Sequence, residues 1–270
     1  DKIGVIGVNG TGKSTLLKII AGVDQADSGS IVTMNGMRIG YLSQSPVFVD
    51  GTTVLQQVFR GENPQLALVR EYEETMAALA KTPEEERLVK RAAELAEKMD
   101  KAEAWSLESE AKTILTKLGI SDFGQTVETL SGGQKKRVAL AAALIAPVDL
   151  LILDEPTNHI DNDTVDWLEK HLEKYSKALL MVTHDRYFLD RVANRTLELE
   201  QGKLYSYQAN YSKFLEMKAE REELIAAGEA PSRRQDCSAL RRFPQSVRRR
   251  KSRAWSFPLS AAVWGKRRLR

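Results

Sequence analysis

Gly7-Val8-Asn9-Gly10-Thr11-Gly12-Lys13-Ser14-Thr15 is the stretch on which the reading of this chain turns. It fits G-x-x-x-x-G-K-[ST], a phosphate-binding loop. Before it, Lys2-Ile3-Gly4-Val5-Ile6 alternates and is rich in β-branched residues, as a short buried strand is. After it, Leu16, Leu17, Ile19 and Ile20 recur at helical spacing. A strand, a glycine-rich turn and a helix are the context that gives the pattern a mechanism. Glycines let the backbone bend so that successive N–H groups face phosphate oxygens, and the helix N-terminus adds partial positive charge at the same spot. Lys13 can reach the β- and γ-phosphates, and the Ser14 hydroxyl can bind Mg²⁺. The expected ligands are therefore the phosphates of a nucleotide and Mg²⁺.

The 270 residues suffice for one large or two modest domains, and 42% hydrophobic with 29% charged is ordinary globular composition. No apolar run reaches the length of a membrane span. The single cysteine, Cys237, excludes an internal disulfide, which fits a reducing compartment and a cytoplasmic location. The net charge of +3 hides an asymmetry: residues 229–270 sum to +11 and residues 1–228 to −8. The overall pI thus says little about the folded part. The chain opens at Asp1, one strand ahead of the loop, and is read as N-terminally truncated.

Two strand-like runs, Ile31–Met34 and Arg38–Leu42, flank Asn35-Gly36, a hairpin turn signal. Residues 53–118 are helical in character. A helix over about 65–80 carries Leu66, Val69, Met76 and Leu79 on one side. A second is expected to start at Thr82-Pro83-Glu84-Glu85, with a capping Thr, Pro at the first helical position and Glu three residues after the cap. Leu88, Ala92, Leu95, Met99 and Ala102 continue it at 4-3-4-3 spacing. The two form an antiparallel hairpin whose second arm is roughly 30 Å long. Such a hairpin either packs on a core or projects as an arm toward a partner, and its charge density does not choose between them.

Further on, Leu150-Leu151-Ile152-Leu153 and Ala178–Val182 are wholly apolar runs that suit buried parallel strands. Helices are expected at about 132–145 and 163–174, and a charged one at 210–227. Strands alternating with helices predict an α/β domain with a mostly parallel sheet over residues 1–228 and a helical subdomain over about 53–145.

Asp154-Glu155 ends the first of those strands, a Walker B pattern. Asp154 would hold Mg²⁺, and Glu155 can orient and polarise a water attacking the γ-phosphate. His184 also follows a strand and could bond the γ-phosphate or that water; taken alone, it reads better as a structural or surface histidine. Gln44, at a strand end, could touch Mg²⁺ or be a plain polar loop residue. Ser131-Gly132-Gly133-Gln134 feeds a helix N-terminus and offers free N–H groups to a second anion. Two phosphate-binding termini and one nucleotide suggest that the second serves a nucleotide on another copy of the domain.

The order of phosphate loop, Gln44, Leu130-Ser131-Gly132-Gly133-Gln134, Asp154-Glu155, Asp161 and His184 resembles the ABC-type ATPase domain, a P-loop NTPase fold, over about residues 2–210. Asp154-Glu155-Pro156-Thr157-Asn158-His159-Ile160-Asp161 and Thr183-His184-Asp185-Arg186-Tyr187-Phe188-Leu189-Asp190 resemble the ABC-F class. That class consists of soluble tandem ATPases without a membrane domain that act on ribosomes. The resemblance implies ATP binding and Mg²⁺-dependent hydrolysis, with a role in translation or antibiotic protection. It implies that Gly7, Asn9, Gly10, Thr11, Gly12, Lys13, Ser14 and Thr15 bind the phosphates, and that Ser14, Gln44 and Asp154 surround Mg²⁺. Glu155 is then the catalytic base or water positioner and His184 the switch histidine. Ser131, Gly132, Gly133 and Gln134 contact the nucleotide of a second ATPase domain, and Asp161 couples the two sites. The 87 residues from Gln44 to Ser131 leave room for the arm insertion of ABC-F proteins. The strand bearing the adenine-stacking aromatic would precede Asp1. The runner-up is the ATP-binding subunit of a membrane transporter.

After Gly228 the periodicity stops, and three of the chain's eight prolines and clusters of arginine follow. The readings are an RNA-binding tail using Trp255 and Trp264, a disordered basic segment, or, preferred, out-of-frame translation from near residue 229.

Overall fold

The computed structural model describes residues 1–227 apart from Glu62 and His159. The readings made for the basic tail lie outside the described residues. In chain order the elements are β1 (Lys2–Ile6), α1 (Lys13–Ile20), β2 (Ile39–Leu42), α2 (Val54–Val58) and α3 (Pro64–Lys81). Then come α4 (Glu86–Lys101), α5 (Trp105–Lys117), α6 (Gly132–Ile145), β3 (Leu150–Asp154) and α7 (Asn162–Glu173). The last are β4 (Ala178–Val182), α8 (Arg186–Val192), β5 (Arg195–Glu200), β6 (Lys203–Tyr207) and α9 (Tyr211–Ala226). Two compact units divide them.

Among the described residues, the first unit holds 1–41, 149–156 and 171–227. Its sheet has the order β2-β3-β4-β1-β5-β6. Strands β3, β4, β1 and β5 run parallel, and β6 returns antiparallel on β5. Asp154 pairs with Val182, and Val182 with Val5, so β1, β3 and β4 end at one level. In an open parallel sheet, loops leaving the carboxyl ends of adjacent strands gather at one edge. Here those loops begin with Gly7, Glu155 and Thr183.

One face of the sheet packs under α1. Val5, Leu150, Ile152, Leu180 and Val182 surround Leu17, and Ile39 and Tyr41 of β2 pack against them. On the other face Gly4 lets α8 approach: a Cβ there would meet Leu189 at 2.8 Å and Ala193 at 3.5 Å. Charged groups tie α9 to the β5–β6 hairpin. Arg221 lies 3.1 Å from Glu200 and 3.4 Å from Glu198, and its guanidinium sits 4.0 Å from the Tyr205 ring centroid.

The second unit holds residues 42–148 and 157–170 and is helical. Helix α2 opens with a capping box between Thr53 and Gln56. Helices α3 and α4 pair as a hairpin, joined by ion pairing of Arg91 to Glu71. Leu66, Val69, Leu95 and Met99 are buried, while Met76, expected on the same face as Leu66 and Val69, is 39% exposed.

Two local expectations are corrected. Thr82 does not start α4; it closes α3, donating its hydroxyl to the Ala78 carbonyl, and α4 begins at Glu86. A threonine that bonds back four residues satisfies a carbonyl of the preceding helix and is lost as a cap for the next. Ile31–Met34 is not a strand. Asn35-Gly36 does turn, with Met37 N–H donating to the Met34 carbonyl, but β2 pairs with β3 instead. A pairing that joins a large sheet buries more apolar surface than an isolated hairpin can.

Candidate functional site

The loop after β1 is held by its own chain. Thr11 donates its N–H and its hydroxyl to the Val8 carbonyl, at 3.3 and 2.8 Å. Gly7 sits so close to β5 that a Cβ would meet the Leu199 carbonyl oxygen at 2.5 Å. Gly12, the N-cap of α1, takes φ 96°, a left-handed conformation that costs glycine least. Asn9 and Gly10 are exposed, and Thr15 lies in the first turn of α1. Buried Lys13 arches its Nζ over the loop to the Gly7 carbonyl at 2.9 Å and the Val8 carbonyl at 3.2 Å.

Ser14 Oγ donates to Asp154 Oδ1 at 3.2 Å, linking α1 to the end of β3. Asp154 is almost wholly buried. Next to it, Glu155 takes φ 55°, uncommon for a non-glycine residue and found disproportionately at functional sites. Its N–H bonds the Val182 carbonyl at 2.8 Å. Its Oε2 accepts from the His184 backbone N–H at 3.3 Å, and its Oε1 lies 3.4 Å from His184 Nε2. The Glu155 side chain is 7% exposed and that of His184 65%. Burial pushes the Glu155 carboxyl above the usual carboxylate range, against the opposing pull of His184.

A residue that the sequence reading passed over braces this turn. Asp185 caps α8, its carboxylate accepting from Phe188 N–H at 3.0 Å, while its own N–H donates to Thr183 Oγ1 at 3.1 Å. His184 is thereby fixed between two side-chain-bonded neighbours. The signal was an Asp directly before an apolar helix.

The remaining expected site residues belong to the second unit. Gln44 is exposed, two residues beyond β2. Ser131 and Gln134 form a reciprocal capping box at the start of α6: Gln134 N–H donates to Ser131 Oγ at 3.2 Å and Ser131 N–H to Gln134 Oε1 at 2.9 Å. In front of Gly132 and Gly133 an added Cβ would meet nothing within 4 Å. Asp161 caps α7, accepting from Thr164 N–H at 2.9 Å and Thr164 Oγ1 at 3.0 Å, which holds its carboxyl below the usual range.

The first unit's groups suit a magnesium nucleotide. The cradle at Gly7 admits no side chain, a buried ammonium spans the loop, and a hydroxyl and a carboxylate meet at its base, an all-oxygen donor pair for a hard cation. Such a strand–loop–helix with an acid at the neighbouring strand end defines a P-loop ATPase.

The chain belongs to the ABC transporter family. The family model of that description matches residues 1–158, and a second of the same description matches residues 197–254. The family hydrolyses ATP, and the chain fits its ABC-F class, to which EttA belongs. YfmR of Bacillus subtilis (strain 168), an uncharacterized ABC transporter ATP-binding protein, is 51% identical over 222 residues, 82% of this chain and 35% of its own length. The energy-dependent translational throttle protein EttA of Mycobacterium tuberculosis (strain ATCC 25618 / H37Rv) is 43% identical over 220 residues, 82% of this chain and 39% of its own. The chain therefore spans less than half the length of these relatives. A solved ATP-binding subunit of an ABC transporter shares the fold, with TM-score 0.54 and 18% identity over 77% of this chain and 78% of that one. No described helix is long and apolar enough to cross a membrane.

Proposed function

We propose that this chain is an ATPase domain of an ABC-F protein that binds ATP with Mg²⁺, hydrolyses it when paired with a second ATPase domain, and acts on the ribosome in the cytoplasm. The observation that supports hydrolysis most is the Glu155–His184 pair beside the Ser14–Asp154 link. Bound Mg²⁺ would neutralise phosphate charge as the bond to the γ-phosphate breaks. Ser14 and Asp154 are the first unit's residues that would hold it. Lys13 and the N–H groups at the start of α1 bind the phosphates. The Glu155 carboxylate accepts a proton from the attacking water as its oxygen bonds to the γ-phosphorus and ADP leaves. His184 holds that carboxylate and lowers its proton affinity.

Gly132 and Gly133, open in front of α6, receive the nucleotide of the second domain, while Ser131 and Gln134 shape that helix start. The roles implied for Gln44 and Asp161 belong to the same proposal. Action on ribosomes draws its support from the relatedness to EttA, named as a translational throttle. Co-sedimentation with ribosomes, with and without ATP, tests it. Nucleotide-dependent pelleting is expected. A protein that stays in the supernatant under both conditions, or is recovered with an integral membrane protein, overturns the ribosomal role.

A further inference from the structure

The Tyr41 hydroxyl is buried and has no hydrogen-bond partner among the described residues. A phenol filling an apolar core gains nothing from such an oxygen, and burying it unbonded is destabilising. The ring explains itself: Tyr41 packs with Ile39 against the cluster of Leu150, Ile152 and Leu17 under α1. The hydroxyl needs another explanation, and the register supplies one.

Leu150 and Ile152 face α1, and side chains two residues apart share a face, so Asp154 continues the same row. Ile39 and Tyr41 form the matching row on β2. Arg38, just before β2, accepts from Asp149 and Leu150 N–H at the start of β3, so Tyr41 lies three residues further along, toward the Asp154 end. Asp154 already accepts from Ser14 on α1. The phenol and the carboxylate thus occupy one face of adjacent strands, beneath one helix. The Asp154 charge lies near enough to act on the phenol, whose O–H is a donor suited to a carboxylate.

We infer that Tyr41 is a positioning residue of the metal side of the nucleotide site: its hydroxyl, unbonded in this structure, donates to the Asp154 carboxylate when the cation is bound and aims that carboxylate at it. The inference rests on the proposed nucleotide site and adds a residue to it. Groups that orient a metal-binding carboxylate typically matter by about 10–100-fold in metal affinity. With the carboxylate steered from β2 and from Ser14, it is held in one rotamer as the complex forms.

The test compares the whole chain with Tyr41→Phe and Ser14→Ala, using Mn²⁺ as a paramagnetic substitute titrated in the presence of ATP. Tyr41→Phe deletes one oxygen and leaves the packed ring. Mn²⁺ affinity in the nucleotide complex is expected to fall about tenfold in Tyr41→Phe. ATP affinity in EDTA and the melting temperature of the free protein should hold or rise. Ser14→Ala should also lose Mn²⁺ affinity. If Ser14→Ala weakens Mn²⁺ binding and Tyr41→Phe does not, Tyr41 is only a core residue and the inference falls while the site stands. If neither variant differs from the wild type, the nucleotide-site reading itself fails and takes the inference with it. An equal loss of ATP affinity in EDTA marks a packing effect and overturns the positioning role.

Discussion

Gly7 has no room for a side chain, and its neighbour is backbone. The Leu199 carbonyl would lie 2.5 Å from any Cβ, and a strand in mid-sheet cannot swing aside as a long side chain can. Gly7→Ala should therefore displace the loop from β5 and abolish ATP binding, read by fluorescence of a labelled nucleotide, with a lower melting temperature. Normal binding by this variant would mean that the loop does not depend on that approach. Glu155 carries the second residue-scale expectation. Burial raises its pKa, so the ionised base is lost as pH falls through a value above the ordinary carboxylate range. Because His184 pulls that pKa down, His184→Ala should move the acid limb of the kcat/KM profile to higher pH. The same shift has a stability sign. A raised folded pKa favours folding below the unfolded pKa, and that contribution is lost as pH rises through the folded pKa. Glu155→Gln should thus melt above the wild type at neutral pH, with the difference shrinking toward about pH 4.

Elements show which sequence signals decide structure and which are outweighed. The phosphate loop, the apolar strands and α6, α7 and α9 could be read because periodicity and tertiary demand agree there, whereas α8, of seven residues, was not foreseen. Thr82 could not: Thr-Pro-x-Glu is a sound start signal, yet the hydroxyl finds the carbonyl of the helix behind it first. Ile31–Met34 has strand composition, but a strand needs a partner, and β2 takes its place beside β3. Met76 follows the helical period of Leu66 and Val69 yet lies toward the hairpin's exposed side. The two helices should respond accordingly. Leu95→Ala, at a fully buried position on α4, should cost about 2–5 kcal/mol in denaturant unfolding. Met76→Ala should cost under about 1 kcal/mol. Comparable losses would mean that the hairpin packs through a different face.

For the molecule as a whole, the chemistry-bearing residues could be read as types but their company could not. Ser14, Asp154, Glu155 and His184 carried motif signals, and the common level of β1, β3 and β4 brings the loops that bear them to one edge. Tyr41 carried none, because an aromatic in a strand reads as core until its hydroxyl is found buried without a bond. Asp185 was visible only as part of a longer resemblance, since its work is to cap α8 beside His184. This chain spans 35% of the length of YfmR and 39% of that of EttA. What it holds is a phosphate cradle on one unit and an open helix start on the other, which the proposed function takes as the two halves of a shared site.

Phosphate release from ATP tests that account most directly, measured for the wild type and Glu155→Gln over a range of protein concentrations. The wild type should release phosphate at a rate per molecule that rises as copies pair. The variant should bind ATP as tightly and release about 100-fold less, a loss in the range expected for a general base. Equal release by Glu155→Gln, or none by the wild type at any concentration, would contradict it.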